Sequence, residues 1–271
     1  MKLPNLPPRL CYGAAGNQAQ HANLEKANAR RLSFVSGEGL GKMKELPARV
    51  LLIGAAGRMG KTISDLADAD PKIEIIARCD LGDSIEPGMQ NCDVAVDFSQ
   101  ADAVAEVCRV GLKHHKPLVI GTTGQSKEQR RIIEETAQSL PIVFASNFSI
   151  GVNVLFWLTR KAAEQLGSDF DTKIVETHHK MKKDAPSGTA KTLAEVLKAA
   201  KKAQTDIPIQ SIREGDVVGE HTVIFNGPAE RLELSHHAAS REIFARGALR
   251  AAKWIIGRPP GLYSMQNVLG L

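Results

Sequence analysis

The chain has 271 residues and a mass of 29.3 kDa, which is enough for two ordinary domains. Apolar residues make up 43% of it and aromatic residues only 4%, as is typical of a globular protein with a mainly aliphatic core. The net charge of +5 arises from 35 Lys and Arg residues and 30 carboxylates. Because the basic residues are spread through the chain, this charge indicates an enzyme for anionic ligands rather than a nucleic-acid binder.

The four cysteines indicate neither a zinc site nor a disulfide framework. Cys11, Cys79, Cys92 and Cys108 form no C-x-x-C pair and have no histidine at metal-ligand spacing. We therefore expect no metal and a reducing, cytoplasmic location. No stretch approaches the roughly 18 consecutive apolar residues of a membrane helix, and the N-terminus has no signal-peptide pattern, so we expect no membrane partner and no export.

Residues 1–48 differ in composition from the rest of the chain. They contain Pro4, Pro7 and Pro8, scattered Asn and Gln, and no sustained apolar period, so we predict a poorly ordered N-terminal extension. Its basic character leaves two interpretations open. One is an organelle transit peptide. The other, which we favour, is an artefact or an upstream start, since Met43 lies just before the first strong strand and can serve as an initiator.

From Arg49 onward the pattern predicts alternating strands and helices. Residues 50–53 form a short apolar run that ends at a glycine, which is typical of a parallel strand buried on both faces. The further predicted elements are a helix near 59–69, strands at 73–77 and 94–98, a helix at 101–114, a strand at 117–120, a helix at 126–139, a strand at 142–145 and a helix at 152–166. This alternation predicts an α/β fold with a Rossmann-like, doubly wound parallel sheet.

The remainder of the chain predicts a second, α+β domain. Its predicted elements are a strand at 173–178, a helix at 187–203 and antiparallel strands at 219–225 and 231–236. A final helix at 242–256 has an apolar face that we expect to return to the first domain, formed by Ile243, Ala248, Ala251, Trp254 and Ile255. The predicted division is therefore residues 49–149 plus 242–271 for the first domain, and residues 150–241 for the second.

The segment Gly54–Gly60 follows the first strand and opens a helix. Its small residues and free backbone amides favour a pyrophosphate-binding turn. The spacing is G-x-x-G-x-x-G rather than the commoner G-x-G-x-x-G, so a tight turn without a ligand is the competing interpretation.

Asp80 lies at the end of the second strand, where a carboxylate can accept hydrogen bonds from the adenine ribose. The alternative is a solvated loop carboxylate. The next residue is Leu81, and only Arg58 and Arg78 are near enough to meet a 2′-phosphate. We therefore predict that NADH is used at least as well as NADPH.

The segment 176–190 brings together proton donors, cations and a helix start. Two histidines and several lysines lead into Asp184, Pro186 near the first helical position, and the amides of residues 187–189. This composition favours a dianionic substrate. Taken one at a time, the two histidines also fit a strand in which one side chain is buried and the next is exposed. The lysines likewise fit a solvent-exposed surface.

As a whole this segment resembles the E-x-H-H-x-x-K-x-D-A-P-S-G-T-A signature of the 4-hydroxy-tetrahydrodipicolinate (dihydrodipicolinate) reductase family. The resemblance extends from Val50 to Leu271. It includes the motifs at 54–60, 96–99, 121–124, 145–153, 213–215, 219–222 and 240–241.

The resemblance implies reduction of 4-hydroxy-tetrahydrodipicolinate, a small dicarboxylate, to tetrahydrodipicolinate by NADH or NADPH in diaminopimelate and lysine biosynthesis. It implies that His178 is the proton donor and acceptor and Lys182 a second donor. It implies a homotetramer assembled through the sheet of the second domain. The implied substrate contacts are His179, Ser187, Gly188 and Thr189. The implied dinucleotide contacts are Gly54, Ala55, Ala56, Gly57, Arg58, Met59, Asp80, Gly121, Thr122, Thr123, Ala145, Ser146, Asn147 and Phe148.

One internal stretch departs from the family pattern. The chain between Asp80 and Gly121 is shorter than expected, which we interpret as the loss of a strand or a helix of the cofactor sheet.

Histidines outside the signature have weaker claims to function. We expect His114, His115 and His221 to be structural, whereas a place in the substrate cleft and a structural role are equally supported for His236 and His237.

Two other functions remain as competing hypotheses. An NAD-linked amino-acid or semialdehyde dehydrogenase shares the cofactor fold, and a semialdehyde dehydrogenase needs a reactive cysteine. The third hypothesis is a dinucleotide-sensing regulator without catalysis, since a fold does not fix a function.

Overall fold

A computed structural model describes residues 32–33, 44–202 and 206–271. The predicted poor order of residues 1–48, and the two interpretations of that segment, lie mostly outside these ranges. Within them, the two-residue strands β1 (Leu32–Ser33) and β2 (Lys44–Glu45) pair antiparallel. The last residue of the predicted helix at 187–203 also lies outside the described residues.

The first domain is built on a six-stranded parallel sheet. Its strands are β3 (Ala48–Ile53), β4 (Ile73–Cys79), β5 (Val94–Asp97), β6 (Leu118–Ile120), β7 (Pro141–Phe144) and β12 (Gly261–Tyr263). Their order in the sheet is β12-β7-β6-β5-β3-β4, with every neighbouring pair parallel. The predicted Rossmann-like fold is therefore confirmed.

Helices cover both faces of this sheet. They are α1 (Arg58–Asp68), α2 (Glu86–Asn91), α3 (Val104–His114), α4 (Lys127–Thr136), α7 (Glu242–Ile255) and α8 (Met265–Leu269). Strand β3 explains the two-sided arrangement, because Val50 and Leu52 pack with α1, α7 and α8, whereas Leu51 and Ile53 pack with α2, α3 and α4. The apolar run at 50–53 needs a core on each face of the sheet, as its sequence predicted.

The second domain has a four-stranded sheet under two helices. Its elements are α5 (Ile150–Leu166), β8 (Asp171–His178), α6 (Gly188–Lys201), β9 (Ile209–Arg213), β10 (Gly219–Asn226) and β11 (Arg231–Ala238). The order is β11-β10-β8-β9, in which β8 and β9 are parallel and the other pairs antiparallel. Ile174, Val223 and Phe225 of the sheet form the core with residues of α5 and α6.

Among the described residues, six short elements were not predicted: β1, β2, β9, β12, α2 and α8. Between Asp80 and Gly121 the structure has α2, β5, α3 and β6, of which only α2 was not predicted. The loss of an element relative to the family stays a prediction. Helix α2 has only six residues. It packs so closely that a Cβ on Gly88 would lie 2.7 Å from Leu51 Cδ1 and 2.9 Å from Ala77 Cβ.

Helix α7 returns the chain to the first domain, as its apolar face predicted. Ala248, Ala251 and Ile255 are fully buried in the core shared with β3 and β5, while Ile243 and Trp254 of the predicted face are partly buried. Among the described residues, none of the helices combines the length and apolar character that crossing a bilayer requires.

The contact between Gly247 and the 145–148 turn offers a test of this packing. A Cβ on Gly247 would lie 1.7 Å from the carbonyl oxygen of Phe148. We therefore expect Gly247→Ala to lower the free energy of unfolding by about 1–3 kcal/mol through overpacking, measured by urea denaturation. Arg250→Ala, at an exposed position of the same helix, is the control and should change it by less than about 0.5 kcal/mol. Equal stability of the two variants would contradict this packing.

Candidate active site

The segment 54–60, which joins β3 to the first turn of α1, requires glycine at both ends. Gly54 has a φ of 80°, and a Cβ on it would lie 2.5 Å from the carbonyl oxygen of Phe98. A Cβ on Gly60 would lie 2.2 Å from the carbonyl oxygen of Gly54. Gly57 caps the N-terminus of α1. Such a turn, free of side chains and followed by a helix N-terminus, fits the pyrophosphate of a dinucleotide.

Asp80 lies beside this turn, where its carboxylate accepts hydrogen bonds from the backbone N–H of Ala56 at 3.0 and 2.9 Å. It lines a cavity of about 500 Å³ together with Gly54 and Gly57. Three further carboxylates line the same cavity, those of Asp83, Asp102 and Glu106, and its lining residues include no Lys or Arg. The cavity therefore has an acidic lining at the position expected for adenosine.

A second cavity of about 900 Å³ lies between the two domains. From the first domain it is lined by the predicted cofactor residues Arg58, Met59, Gly121, Thr123, Ser146, Asn147 and Phe148. From the second domain it is lined by the predicted substrate and catalytic residues His178, His179, Lys182, Ser187, Gly188 and Thr189. The structure thus brings the two groups of residues to one cleft.

Four predicted cofactor residues do not line either of these two cavities. Thr122 is buried, and its hydroxyl donates to Asp97 at 2.8 Å. Alternate residues of an extended segment point to opposite sides, so Thr122 points inward while Gly121 and Thr123 face the cleft. Ala55 is also buried in the core, and Ala56 faces Asp80. Ala145 lines a smaller cavity of about 430 Å³, which shares Ser146 and Asn147 with the interdomain cavity.

His178 is the last residue of β8 and is buried at the edge of the interdomain cavity. Its Nδ1 is hydrogen-bonded to Oε2 of Glu176, which lies two residues earlier on the same face of the strand. Burial lowers the pKa of His178, an effect that the Glu176 carboxylate partly opposes.

Glu176 and Arg213 complete the site, although sequence reasoning assigned them no role. Glu176 Oε1 accepts hydrogen bonds from Arg213 Nη2 at 2.9 Å and from Ser187 N at 3.3 Å. Burial raises the pKa of Glu176, but hydrogen bonds from Arg213, Ser211 and His178 outweigh it and lower the pKa to about 2. The signal in the sequence was the two-residue spacing of Glu176 and His178 on a strand.

Lys182 lies in the loop between β8 and α6, also at the interdomain cavity. Its ammonium group donates to both carboxylate oxygens of Asp184, at 2.7 and 2.9 Å. This contact lowers the pKa of Asp184. The Lys182 side chain is 22% exposed, so its charge is accessible from the cleft.

Helix α6 directs its N-terminus at the cleft. Ser187 is its N-cap, so Pro186 lies just before the helix, and the Ser187 hydroxyl accepts from Ala190 N at 3.2 Å. The space beside Gly188 is open. Thr189 accepts a hydrogen bond of 3.1 Å from Asn147 Nδ2, which crosses from the first domain. The first amides of such a helix have no intrahelical partner and favour an anion.

His221 supports the site from β10. Its Nε2 lies 3.2 Å from Ser187 Oγ, and its ring lies 5.1 Å from that of His178, edge to face. Potential metal-ligand atoms of Glu176, His178 and His221 all lie within 4.8 Å of one another. The carboxylate oxygens are already hydrogen-bonded to Arg213, Ser187 and His178, so these three residues form a hydrogen-bonded cluster, and we propose no metal there.

Three further histidines of the described residues, His114, His236 and His237, have structural contacts. His114 is 3.2 Å from Glu86 at the end of α3. His236 packs against the backbone of Gly151, and His237 is 3.1 Å from Glu220 on the outer face of the sheet. Neither His236 nor His237 is among the residues that line the interdomain cavity, which favours the structural interpretation.

The three cysteines that the structure describes have no access to the cleft. Cys79, Cys92 and Cys108 are buried free thiols, and burial raises the pKa of Cys92 and of Cys108 to about 11. A thiol with a raised pKa is a poor nucleophile. The semialdehyde dehydrogenase hypothesis therefore has no support among these residues.

Known protein families and proteins match most of the chain. The dihydrodipicolinate reductase N-terminal profile matches residues 48–148, and the C-terminal profile of the same enzyme matches residues 151–269. A 4-hydroxy-tetrahydrodipicolinate reductase of Akkermansia muciniphila is 47% identical over 240 residues, which cover 82% of this chain and 98% of that protein.

The chain belongs to the dihydrodipicolinate reductase family.

A second family member, the 4-hydroxy-tetrahydrodipicolinate reductase of Syntrophus aciditrophicus, is 44% identical over 78% of this chain and 84% of its own length. Among solved structures, a dipicolinate-bound dihydrodipicolinate reductase of Paenisporosarcina sp. TG-14 superposes with a TM-score of 0.72. It shares 23% identity over 80% of this chain and 97% of that one. A diaminopimelate dehydrogenase of C. glutamicum has a TM-score of 0.53 at 9% identity over 81% of this chain and 93% of that one, so the likeness is one of fold alone.

Dihydrodipicolinate reductase family membership and the Rossmann-like sheet together imply an oxidoreductase with a nicotinamide dinucleotide cofactor. The glycine turn at 54–60 fits such a cofactor, since the added Cβ atoms considered above would fill the space that the phosphates need.

Buried His221 makes stability depend on pH. Burial first, and nearby His178 second, lower its pKa to about 4, whereas a histidine in an unfolded chain titrates near about 6.5. As the pH falls, the unfolded chain binds the proton first, so the free energy of unfolding should drop by up to about 3 kcal/mol between these two pKa values. Urea denaturation at several pH values measures this drop. It should be smaller in His221→Asn, and an equal drop in both proteins would contradict the assignment.

Proposed function

We propose that this chain reduces 4-hydroxy-tetrahydrodipicolinate to tetrahydrodipicolinate in diaminopimelate and lysine biosynthesis, using a reduced nicotinamide dinucleotide. The observation that carries the proposal is the interdomain cavity, which His178 and Lys182 line together with Arg58 of the 54–60 turn. The activities named for the relatives from Akkermansia muciniphila and Syntrophus aciditrophicus support it.

We propose His178 as the first proton donor. The 4-hydroxyl group of the substrate would leave as water to give a conjugated imine, to which a bound reduced nicotinamide would supply a hydride. The electron density that results would then have to be protonated. Glu176 occupies Nδ1 of His178, which leaves Nε2 to exchange a proton with the substrate. Burial lowers the pKa of His178, so its protonated form is a stronger acid than a free imidazolium.

Lys182 is proposed as the second donor and as a carboxylate contact. Its ammonium group is held by Asp184 and is partly exposed in the cleft. A substrate carboxylate can accept from the same ammonium group, and its negative charge is stabilised there.

The cavity has the charge that a small dicarboxylate requires. Its lining includes five cationic side chains and one carboxylate, namely Arg58, Arg130, Lys182, Lys191, Arg241 and Glu195. We propose that the amides of Gly188 and Thr189 at the start of α6 bind one carboxylate, with His179 and Ser187 beside them. The similar reductase from Paenisporosarcina sp. TG-14 is described as dipicolinate-bound, which supports the same class of ligand.

We propose that NADH is used at least as well as NADPH. The cavity beside Asp80 is lined by four carboxylates and by no Lys or Arg. Carboxylates accept hydrogen bonds from ribose hydroxyls and repel a 2′-phosphate. Arg78 is directed elsewhere, since its Nε donates to Ser64 at 3.3 Å.

Assembly and location are also proposals. The four-stranded sheet packs its core face against α5 and α6, while its opposite face presents Val175, Thr222 and Ser235. We propose that this opposite face assembles a homotetramer, as the resemblance implies. Three buried free thiols support a reducing compartment such as the cytoplasm.

The activity can be tested in a coupled assay. Pyruvate, aspartate semialdehyde and the upstream synthase generate the substrate, and oxidation of NADH is then followed by absorbance. His178→Gln should slow turnover by about a hundredfold or more, the scale of a lost acid catalyst, and Lys182→Met should also reduce it. Lys183→Met is the matched control, because Lys183 is exposed and does not line the cavity. A double variant at His178 and Lys182 with wild-type turnover would overturn these roles.

Cofactor preference can be tested at Leu81, which is 95% exposed beside Asp80. We expect Leu81→Arg to raise the ratio of kcat/KM for NADPH to that for NADH by about tenfold, since a cation can bind the 2′-phosphate with one charge-assisted hydrogen bond. Leu81→Gln adds polarity without charge and should leave the ratio near that of the wild type. A wild-type protein that strongly prefers NADPH would refute the proposed preference.

A further inference from the structure

We propose that Glu176 is a positioning residue for His178, and that Arg213 holds Glu176 in place and connects it to the loop that carries Lys182. The inference rests on the proposed function. It adds to that function the contacts that determine which nitrogen of His178 exchanges the proton. The same contacts hold His178 and Lys182, the two proposed donors, in their relative position.

The geometry begins on strand β8. Glu176 and His178 are two residues apart, so their side chains leave the strand on the same face. The Glu176 side chain is 0% exposed and that of His178 is 11% exposed. Glu176 Oε2 contacts His178 Nδ1, and Oε1 accepts from Arg213 Nη2 at 2.9 Å and from Ser187 N at 3.3 Å. Both oxygens of a buried carboxylate are therefore in use.

An ionised carboxylate can only accept hydrogen bonds, so Nδ1 of His178 must carry the hydrogen. The proton that is exchanged then belongs to Nε2. The backbone leaves room at this nitrogen, because a Cβ on Gly219 would lie 3.0 Å from His178 Nε2. Glu176 thus determines the tautomer of His178. Gly219, which has no side chain, leaves space beside Nε2.

Charged and titratable groups approach His178 from each element around it. They are Glu176 on β8, Arg213 on β9, His221 on β10 and Lys182 in the following loop. Arg213 and Lys182 disfavour a protonated imidazole, as burial does, and Glu176 is the carboxylate in this group that favours it. Neutralising Glu176 should therefore lower the affinity of His178 for its proton.

Arg213 links the two proposed donors. Its Nη2 donates to Glu176 and also to the carbonyl oxygen of Asp184, at 2.6 Å. Asp184 in turn holds Lys182 through its carboxylate. One nitrogen of the guanidinium group therefore contacts both the partner of His178 and the residue that holds Lys182.

The decisive experiment is a titration of His178 that does not depend on turnover. In protein with 15N-labelled histidine, NMR reports the pKa and the protonated nitrogen of each imidazole, and His178→Asn assigns the signal. We expect the wild type to carry its hydrogen on Nδ1. We expect Glu176→Gln to lower the pKa of His178 by about one unit or more and to lose the single tautomer.

The same variant has a kinetic consequence in the coupled assay. An acid catalyst is active below its pKa, so turnover declines as the pH rises through that value. In Glu176→Gln this decline should move to lower pH, and kcat should fall by about 10 to 100-fold with KM little changed. Arg213→Lys should retain more of kcat than Arg213→Met does.

Glu86→Gln is the matched control, because Glu86 also contacts a histidine, His114, but in the first domain and away from the cleft. It should leave the pKa of His178 and kcat unchanged. If the Glu176→Gln protein does not fold because Arg213 has lost its carboxylate partner, the double variant Glu176→Gln/Arg213→Met removes both charges. This double variant should still lower the pKa of His178. An unchanged pKa and tautomer in folded protein would overturn the proposal, whereas absence of turnover in the wild type would refute the proposed function alone.

Discussion

The parallel direction of strands β3, β5, β6 and β7 is the constraint on which the site depends. Because parallel strands end at the same edge of a sheet, the turns that follow them meet at one place. The turns at 54–60, 98–99, 121–123 and 145–148 all contribute residues to the two larger cavities. Strand β7 leads directly into α5 and so into the second domain, which brings the 178–189 segment across from that edge.

Much of this arrangement is predictable from the chain because its signals are local. The apolar run at 50–53, the glycine spacing at 54–60 and the histidine-rich signature are each readable within a few residues. Strands β9 and β12 were missed because they are short edge strands, whose pairing partners set their structure more than their own sequence does. Their neighbours in the sheet are far away in the chain, where periodicity gives no information.

For the candidate site, too, the sequence predicts some features and misses others. Thr122 belongs to a motif that faces the cleft, yet its own side chain turns inward to Asp97, since alternate residues of an extended segment face opposite sides. Arg213 is 37 residues from Glu176 in the sequence, so only the parallel pairing of β8 with β9 places the two together. Motif matching therefore identifies which segments form the site, and tertiary structure decides which side chains reach it.

The close contact of α7 with the 145–148 turn affects how the protein is made. Helix α7 and strand β12 lie at the end of the chain, but they complete the core and the edge of the first sheet. A ribosome-bound chain that ends before residue 263 lacks strand β12. The first domain is therefore discontinuous in the sequence, with the whole second domain inserted in it. The contacts of α7 and β12 join residues far apart in the chain, and contacts of this kind slow folding.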